Sequence, residues 1–492
     1  MSEPPSEPPP RKRRRFTLAQ LLAERRRAVL SFLVGLIVLL LIQIPAVEQS
    51  FIGAPDRVMM ETAFRLRADT VGGTADPILF LDIDDRTLSQ LSPAPGTFAS
   101  PLTTTPRSLV AVLLNFMRKA PATSAPRVVL VDVDVSEPGP DGAEGVARLK
   151  SVLTDWAATK SAPQLLIERD VFPAAQLGMD GPATVLPDTP YDAVLQSAPN
   201  IHWATFQALS DLNGVMREVL PYQCVLTRSG TTPLYSAALL AYQYAERDPK
   251  VFARAPVRRW FDDAAVHCQS QPYAPLRHGE RIDYHFSLEL NSNGRVWPDL
   301  SPAWPGFRRC GTSDSKIFRR VSAIDVVSAL NAGGDVSGDL LCQRIVIIGG
   351  TNTGSADFVQ TPLNEMNGSA LIANSIRGLE LTHGGLRPFP LVFQVLGLGV
   401  VSLLISAAAL ASSRARRRYR SLRRSPHKER LSRRAGIILL NPIVLNAIIA
   451  AGAHCLGVAL LYVSLNFGLW GFLSAPAFAV ATTETVLEFA DE

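Results

Sequence analysis

Pro77-Ile78-Leu79-Phe80-Leu81-Asp82-Ile83-Asp84-Asp85 and Arg127-Val128-Val129-Leu130-Val131-Asp132-Val133-Asp134-Val135 decide the fold. Each is a short apolar run that ends in an Asp-x-Asp pair. Uninterrupted apolar runs of this length, rich in β-branched residues, are strands covered on both faces, as in parallel sheets. Thr105–Lys119 lies between them and reads as a helix, with Thr105 as N-cap and Pro106 at the first helical position. Strand, helix and strand form a parallel βαβ unit. A third run, Arg344-Ile345-Val346-Ile347-Ile348-Gly349-Gly350, has the same character and ends in a glycine turn.

The intervening sequence supplies further elements. Helices are expected over Asp56–Ala68, Leu234–Glu246, Ser322–Leu330 and Ser369–Leu379. Strands are expected over Pro163–Glu168, Ile201–Phe206 and Ile282–Leu288. The fold class expected of residues 50–388 is therefore α/β with a mainly parallel sheet.

This polar block is bracketed by apolar sequence. Residues 28–47 carry no formal charge and follow Arg25-Arg26-Arg27. Roughly 20 apolar residues span a bilayer as a helix, so 28–47 is expected to be a first transmembrane helix, an uncleaved signal anchor. Residues 391–412, 436–463 and 466–487 are the expected second, third and fourth spans. Asn441, Asn446 and His454 in the third are expected to hydrogen-bond across the bundle.

Charge fixes the orientation. Residues 1–27 hold eight Lys/Arg against three Glu, and residues 413–435 hold eleven against one. These segments sum to +15 in a chain of +5, which leaves −10 for the rest. Basic residues in short loops stay cytoplasmic. Both termini, including the disordered tail 1–27 and the short tail 488–492, are thus expected inside a bacterial inner membrane, with 50–388 extracytoplasmic. The basic loop 413–435 attracts anionic headgroups of the lipid bilayer. It lacks the aromatic interleaving of a nucleic-acid site, and no nucleic-acid partner is expected.

Five cysteines are present. Cys455 falls in a span. Cys224, Cys268, Cys310 and Cys342 fall in the outer block, where an oxidising compartment allows two disulfides. Proximity favours 224–268 with 310–342; other pairings and free thiols remain open.

Alternation along a strand puts Asp82 and Asp84 on one face, and Asp132 and Asp134 likewise. At the carboxyl ends of parallel strands these four carboxylates could hold Mg²⁺ or Ca²⁺, or a cationic ligand. Equally, they could cap the following helices or loops. Gly349–Ser355 lacks the Gly-Lys-Ser/Thr ending of a phosphate loop and reads as a tight turn. No H-E-x-x-H, G-x-S-x-G or Cys/His nucleophile pattern is visible. No catalytic centre is expected, and no cofactor beyond the metal alternative.

Several segments in order resemble the CHASE2 family of extracytoplasmic sensory domains of bacterial transmembrane receptors. They are Leu81-Asp82-Ile83-Asp84-Asp85; Thr105-Pro106-Arg107; Asp211-Leu212-Asn213-Gly214-Val215-Met216-Arg217; and Arg344–Gly349 through Asp357, Thr361-Pro362-Leu363 and Ala373-Asn374. Thr105 stands where the family usually has Trp, and Ile372 where it usually has His. The resemblance covers about residues 50–390, and one helix before with three after is also the family's layout. It implies sensing of an unknown ligand or stress outside the membrane. Asp85, Arg107 and Asp357 join Asp82, Asp84, Asp132 and Asp134 as candidate ligand residues.

About five residues follow the last expected span, so output is expected to pass to a separate cytoplasmic effector protein. A homodimer through the helices fits such a sensor. The alternatives are a structural or assembly membrane protein with a periplasmic docking domain, and an ectoenzyme holding a metal on the four aspartates.

Overall fold

A computed structural model describes residues 18–44, 47, 52, 54–67, 78–91, 104–177, 183–211, 213–246, 249–270, 280–281, 318–334, 340–341, 345–352, 358–382, 384, 387–388, 390–404, 406 and scattered positions between 451 and 486. The chain divides into two units. One comprises residues 1–60, 388–461 and 471–492, the other residues 61–387 and 462–470.

In the first unit α1 covers Leu18–Leu41. Its leading turns carry Glu24 and Arg25–Arg27, leaving 14 uncharged helical residues, Ala28–Leu41. At 1.5 Å per residue these rise about 21 Å, short of a hydrocarbon core of about 30 Å. Among the described residues no helix is long and apolar enough to cross a membrane. The four expected crossings are therefore not seen as complete helices. The basic loop 413–435, Asn441, Asn446, His454 and most of 436–463 and 466–487 lie outside the described residues.

α2 (Ala54–Arg67) leads into the second unit. There follow β1 (Ile78–Asp82), α3 (Asp85–Leu91), α4 (Arg107–Arg118), β2 (Val128–Asp132), α5 (Gly142–Ala158), β3 (Gln164–Glu168), α6 (Asp192–Ser197) and β4 (Ile201–Ala204). Next come β5 (Ala208–Ser210), β6 (Met216–Val219), β7 (Tyr222–Thr227), β8 (Gly230–Tyr235), α7 (Ala237–Ala245) and α8 (Arg258–Ser270). The unit closes with β9 (Phe318–Ser322), α9 (Ala323–Asn331), β10 (Ile345–Gly349), β11 (Phe358–Thr361), β12 (Asn364–Asn367) and α10 (Gly368–Leu381).

Six strands form one sheet in the order β9-β1-β10-β2-β3-β4, and every pairing is parallel. The α/β domain with a parallel sheet expected from the apolar runs is present. Steps from β1 to β2, β2 to β3, β3 to β4 and β9 to β10 all run the same way along the sheet. Their helices pack on one face, against Leu79, Leu81, Val129, Val131, Leu165, Ile167, Val346 and Ile348. The one return step, from β4 back to β9, puts α7 on the opposite face. There it meets α10 over Ile78, Phe80, Val128, Leu130, Ile345 and Ile347. A single crossover handedness accounts for the faces taken by the crossover helices, while α10 follows the sheet's last strand and makes no crossover. Both faces of the central strands are sealed, which is why the strand sequences show no polar alternation.

Several boundaries differ from expectation. α4 begins at Arg107, and Thr105 does not cap it; the Arg107 and Ser108 N–H groups donate to Asp141 at 3.0 and 2.7 Å. A residue 34 positions away supplies the cap that the local sequence lacks. The segment read as one helix from Leu234 splits, with β8 ending at Tyr235 and α7 starting at Ala237. α5 and the antiparallel β5–β6 and β7–β8 pairs were not expected. Cys224 on β7 is bonded to Cys268 on α8. Cys310, Cys342 and the expected strand Ile282–Leu288 lie outside the described residues.

Candidate functional site at the carboxyl edge of the sheet

Register sets Ser322, Asp82, Gly349 and Asp132 side by side along the carboxyl edge. After β10 the chain turns to the α10 face, while its neighbours β1 and β2 continue to the other face. β4 likewise leaves toward α7 beside β3. These are topological switch points, where an open parallel sheet forms its crevices.

Asp82 is closed in. Its side chain is 1% exposed and pairs with Arg320 of β9, whose Nε donates at 2.5 Å. The Thr351 N–H donates to its Oδ1 at 3.0 Å, and the Thr351 hydroxyl lies 2.7 Å from Oδ2. Burial raises the carboxyl above its ordinary range, against the opposing pull of Arg320 and Thr351. Asp132, two strands away, accepts from the Ser369 hydroxyl in the first turn of α10.

The other two aspartates lie beyond the strand ends, where alternation no longer applies. Asp84 accepts from Thr87 N at 2.8 Å, the Thr87 hydroxyl at 2.7 Å and the Ser322 hydroxyl at 3.0 Å, so it caps α3. Asp134 closes a local turn on the N–H and hydroxyl of Ser136. The four carboxylates thus hold separate stations. Among the described residues no group of three or more His, Cys, Asp or Glu is placed to hold a metal. Asp85 opens α3. Arg107 is buried, and its guanidinium donates to the carbonyls of Glu137 (3.0 and 2.8 Å) and Thr105 (3.0 Å), tying two loops together. Asp357 lies outside the described residues.

The edge between β3 and β4 carries groups that the expectations passed over. Arg169, directly after β3, is 2% exposed. Its Nη1 donates to Asp192 at 3.1 Å, and its guanidinium carbon lies 4.6 Å from the Trp203 ring centroid. Asp192 also accepts from Trp203 Nε1 at 2.9 Å and Thr189 N at 2.6 Å. Among the described residues nothing accepts from Arg169 Nε or Nη2, and the fully buried Tyr191 hydroxyl has no partner either. Burial lowers the pKa of Arg169, opposed by Asp192, Asp134 and Asp188. Asp170 is raised, first by desolvation and then by Asp134 and Asp132. In the sequence Glu168 ends β3 as Asp82 and Asp132 end their strands, with Arg169 and Asp170 directly after it.

A family model described as the CHASE2 domain matches residues 33–412. The chain belongs to the CHASE2 family. This is a family of sensory, extracytoplasmic domains. No match was found among curated proteins or among solved structures.

The CHASE2 segments have physical roles in this fold. Within Asp211–Arg217, Asp211 accepts from the N–H groups of Asn213 (2.8 Å) and Val215 (3.1 Å) and from Arg217 Nε (2.8 Å). Gly214 takes φ +77°, which its lack of a Cβ permits. Burial alone would raise the Asp211 carboxyl; Arg217 and the two N–H groups outweigh it and hold it below the ordinary range. Arg217 also reaches Glu61 of α2 at 2.5 Å. At the β11–β12 turn, the Pro362 carbonyl accepts from Arg65 of α2 at 3.0 Å. Ile372 is fully buried in the core under α10.

Proposed function

We propose that the protein is a membrane-embedded, non-catalytic sensor. Its α/β domain detects a ligand outside the membrane, and its helices pass the change to a separate cytoplasmic effector protein. Family membership supports the sensory and extracytoplasmic parts.

One observation carries the membrane part: the first unit is packed inside out. On α1 the buried positions are Ser31, Gly35 and Leu39, while Val29, Leu30, Leu33, Ile37, Leu40 and Leu41 are exposed. Residues 391–404 repeat the pattern, with Gln394, Leu398 and Ser402 buried and Leu391, Val392, Phe393, Leu396, Val400, Leu403 and Leu404 exposed. A soluble helix buries its large apolar side chains. A helix in lipid turns them outward and puts small and polar residues at its contacts. Gly35 is such a contact: a Cβ there would lie 2.6 Å from Val480 Cγ2 and 3.1 Å from Leu398 Cδ1. Gln43 Nε2 donates to Gln394 Oε1 at 3.4 Å in the same bundle.

Four crossings at 28–47, 391–412, 436–463 and 466–487 complete this reading, with basic segments 1–27 and 413–435 inside. The Cys224–Cys268 bond suits an oxidising exterior. α2 follows the first crossing in sequence, and Glu61 and Arg65 on it are gripped by two CHASE2 segments. A ligand that favours one arrangement of the domain can bias α2, provided its affinity differs between the two arrangements.

The test is capture of cross-linked partners from native membranes. A cytoplasmic protein recovered in a stimulus-dependent manner is expected. Stoichiometric extracytoplasmic partners alone would favour a docking module instead.

A further inference from the structure

We infer that the β3–β4 edge is the ligand site, and that Arg169 takes the carboxylate of a small zwitterionic, amino-acid-like molecule whose ammonium faces Asp134 and Asp170. This rests on the sensor reading and names the chemistry it would detect.

Two contacts hold Arg169. Asp192 fixes Nη1, and the Trp203 ring fixes the plane of the guanidinium. What remains is Nε and Nη2, the two donors that share one edge of the group. Among the described residues neither has an acceptor, and both are sealed from solvent. That edge is the fork that pairs bidentately with two oxygens of a carboxylate or phosphate. Leaving two donors of a buried charged group without acceptors is expensive. A side chain serving only to pack would be expected to spend those donors on backbone carbonyls, as Arg107 does with Glu137 and Thr105.

The surroundings select among anions. Asp134 and Asp188 stand within electrostatic reach of Arg169, beyond its partner Asp192. They penalise a dianion such as phosphate more than a monoanion. Asp134 and Asp170 each stand three residues beyond the paired Val131 and Ile167 of β2 and β3, and Asp170, exposed at the surface, is raised by partial burial and by repulsion from Asp134 and Asp132. A positive group there would relieve that repulsion. A carboxylate at the fork and an ammonium beside Asp134 satisfy both conditions in one molecule. Because the fork is covered, binding displaces protein atoms that do not accept from it. Occupancy therefore changes the structure of this edge, as a sensor requires.

The experiment uses the full chain in lipid nanodiscs. Thermal unfolding and calorimetry are read with each proteinogenic amino acid, with acetate and with inorganic phosphate. At least one amino acid should raise Tm, with acetate and phosphate far weaker. R169K should bind that amino acid about 10- to 100-fold more weakly, as expected for lost hydrogen bonds to a charged group. D170N, at an exposed position, should weaken it as well and decides the matter if R169K fails to fold. No binding by any amino acid overturns the proposal, as does unchanged binding by R169K or acetate binding as tightly. A Tm shift caused by extracytoplasmic extract and retained in R169K would overturn this site while leaving the sensor reading in place.

Discussion

Gly349 lies against Ser369, and a Cβ at position 349 would overlap the serine Oγ and approach Asp132 Oδ2 to 3.1 Å. The glycine at the end of β10 is therefore a spacing device. It leaves room for the Ser369 hydroxyl to reach Asp132 across the row that also holds Asp82.

Gly349→Ala should destabilise the domain by about 1–3 kcal/mol, the usual effect of overpacking a filled site. Thermal unfolding of the variant measures it. Gly349→Ala combined with Ser369→Gly should recover part of the loss, because the overlapping atoms are gone.

Asp211 and Arg217 are 4% and 9% exposed at the side chain. Asp211→Asn keeps an acceptor for the turn but leaves Arg217 with Glu61 as its one carboxylate partner among the described residues. A loss of about 2–4 kcal/mol is expected near neutral pH, since breaking a buried pair strands a charge. The pH dependence has a definite sign. The folded carboxyl is lowered from its ordinary value of 3.8, so its contribution is present above that value and is lost as pH falls through the folded value. Urea denaturation between pH 2.5 and 6 should show a steeper acid loss in the wild type than in D211N.

Asp82 behaves oppositely. Its carboxyl is raised from 3.8, so its contribution is fully present below that value and is lost as pH rises through the folded value. Asp82→Ala strands Arg320, which is 23% exposed and partly screened, and should cost about 1–3 kcal/mol. Asp82→Ala with Arg320→Leu should lose less than Asp82→Ala alone.

The parallel sheet was legible because Ile78–Asp82, Val128–Asp132 and Ile345–Gly349 are apolar on both faces, and only burial on both sides explains that. Proximity along the chain also pointed to Cys224 and Cys268. Capping, one of the two readings of the aspartates, holds for Asp84 and Asp134, but the partners of Asp82 and Asp132 were not legible. Asp82 finds Arg320 across 238 residues and Asp132 finds Ser369 across 237, contacts that strand order creates and local pattern cannot reveal. Alternation misplaced Asp84 and Asp134 because β1 and β2 end two residues before them. Arg169 was overlooked because a single Arg after a strand looks like solvated charge until burial is known.

The inverted burial of α1 predicts an asymmetric response to substitution. Ile37→Asn, on the exposed face, should remain folded in a membrane while lowering insertion efficiency. Gly35→Leu, against Val480 and Leu398, should break helix packing and reduce detergent stability. Membrane fractionation of the first and thermal inactivation of the second check these outcomes.

The proposed topology holds the sensory α/β domain outside the membrane by helices whose basic flanks lie inside. Protease digestion of right-side-out spheroplasts carrying epitope tags at both termini tests it most directly. Cleavage within residues 50–388 is expected, with both tags protected until the membrane is permeabilised. Digestion of either tag in intact spheroplasts, with the α/β domain protected, would contradict it.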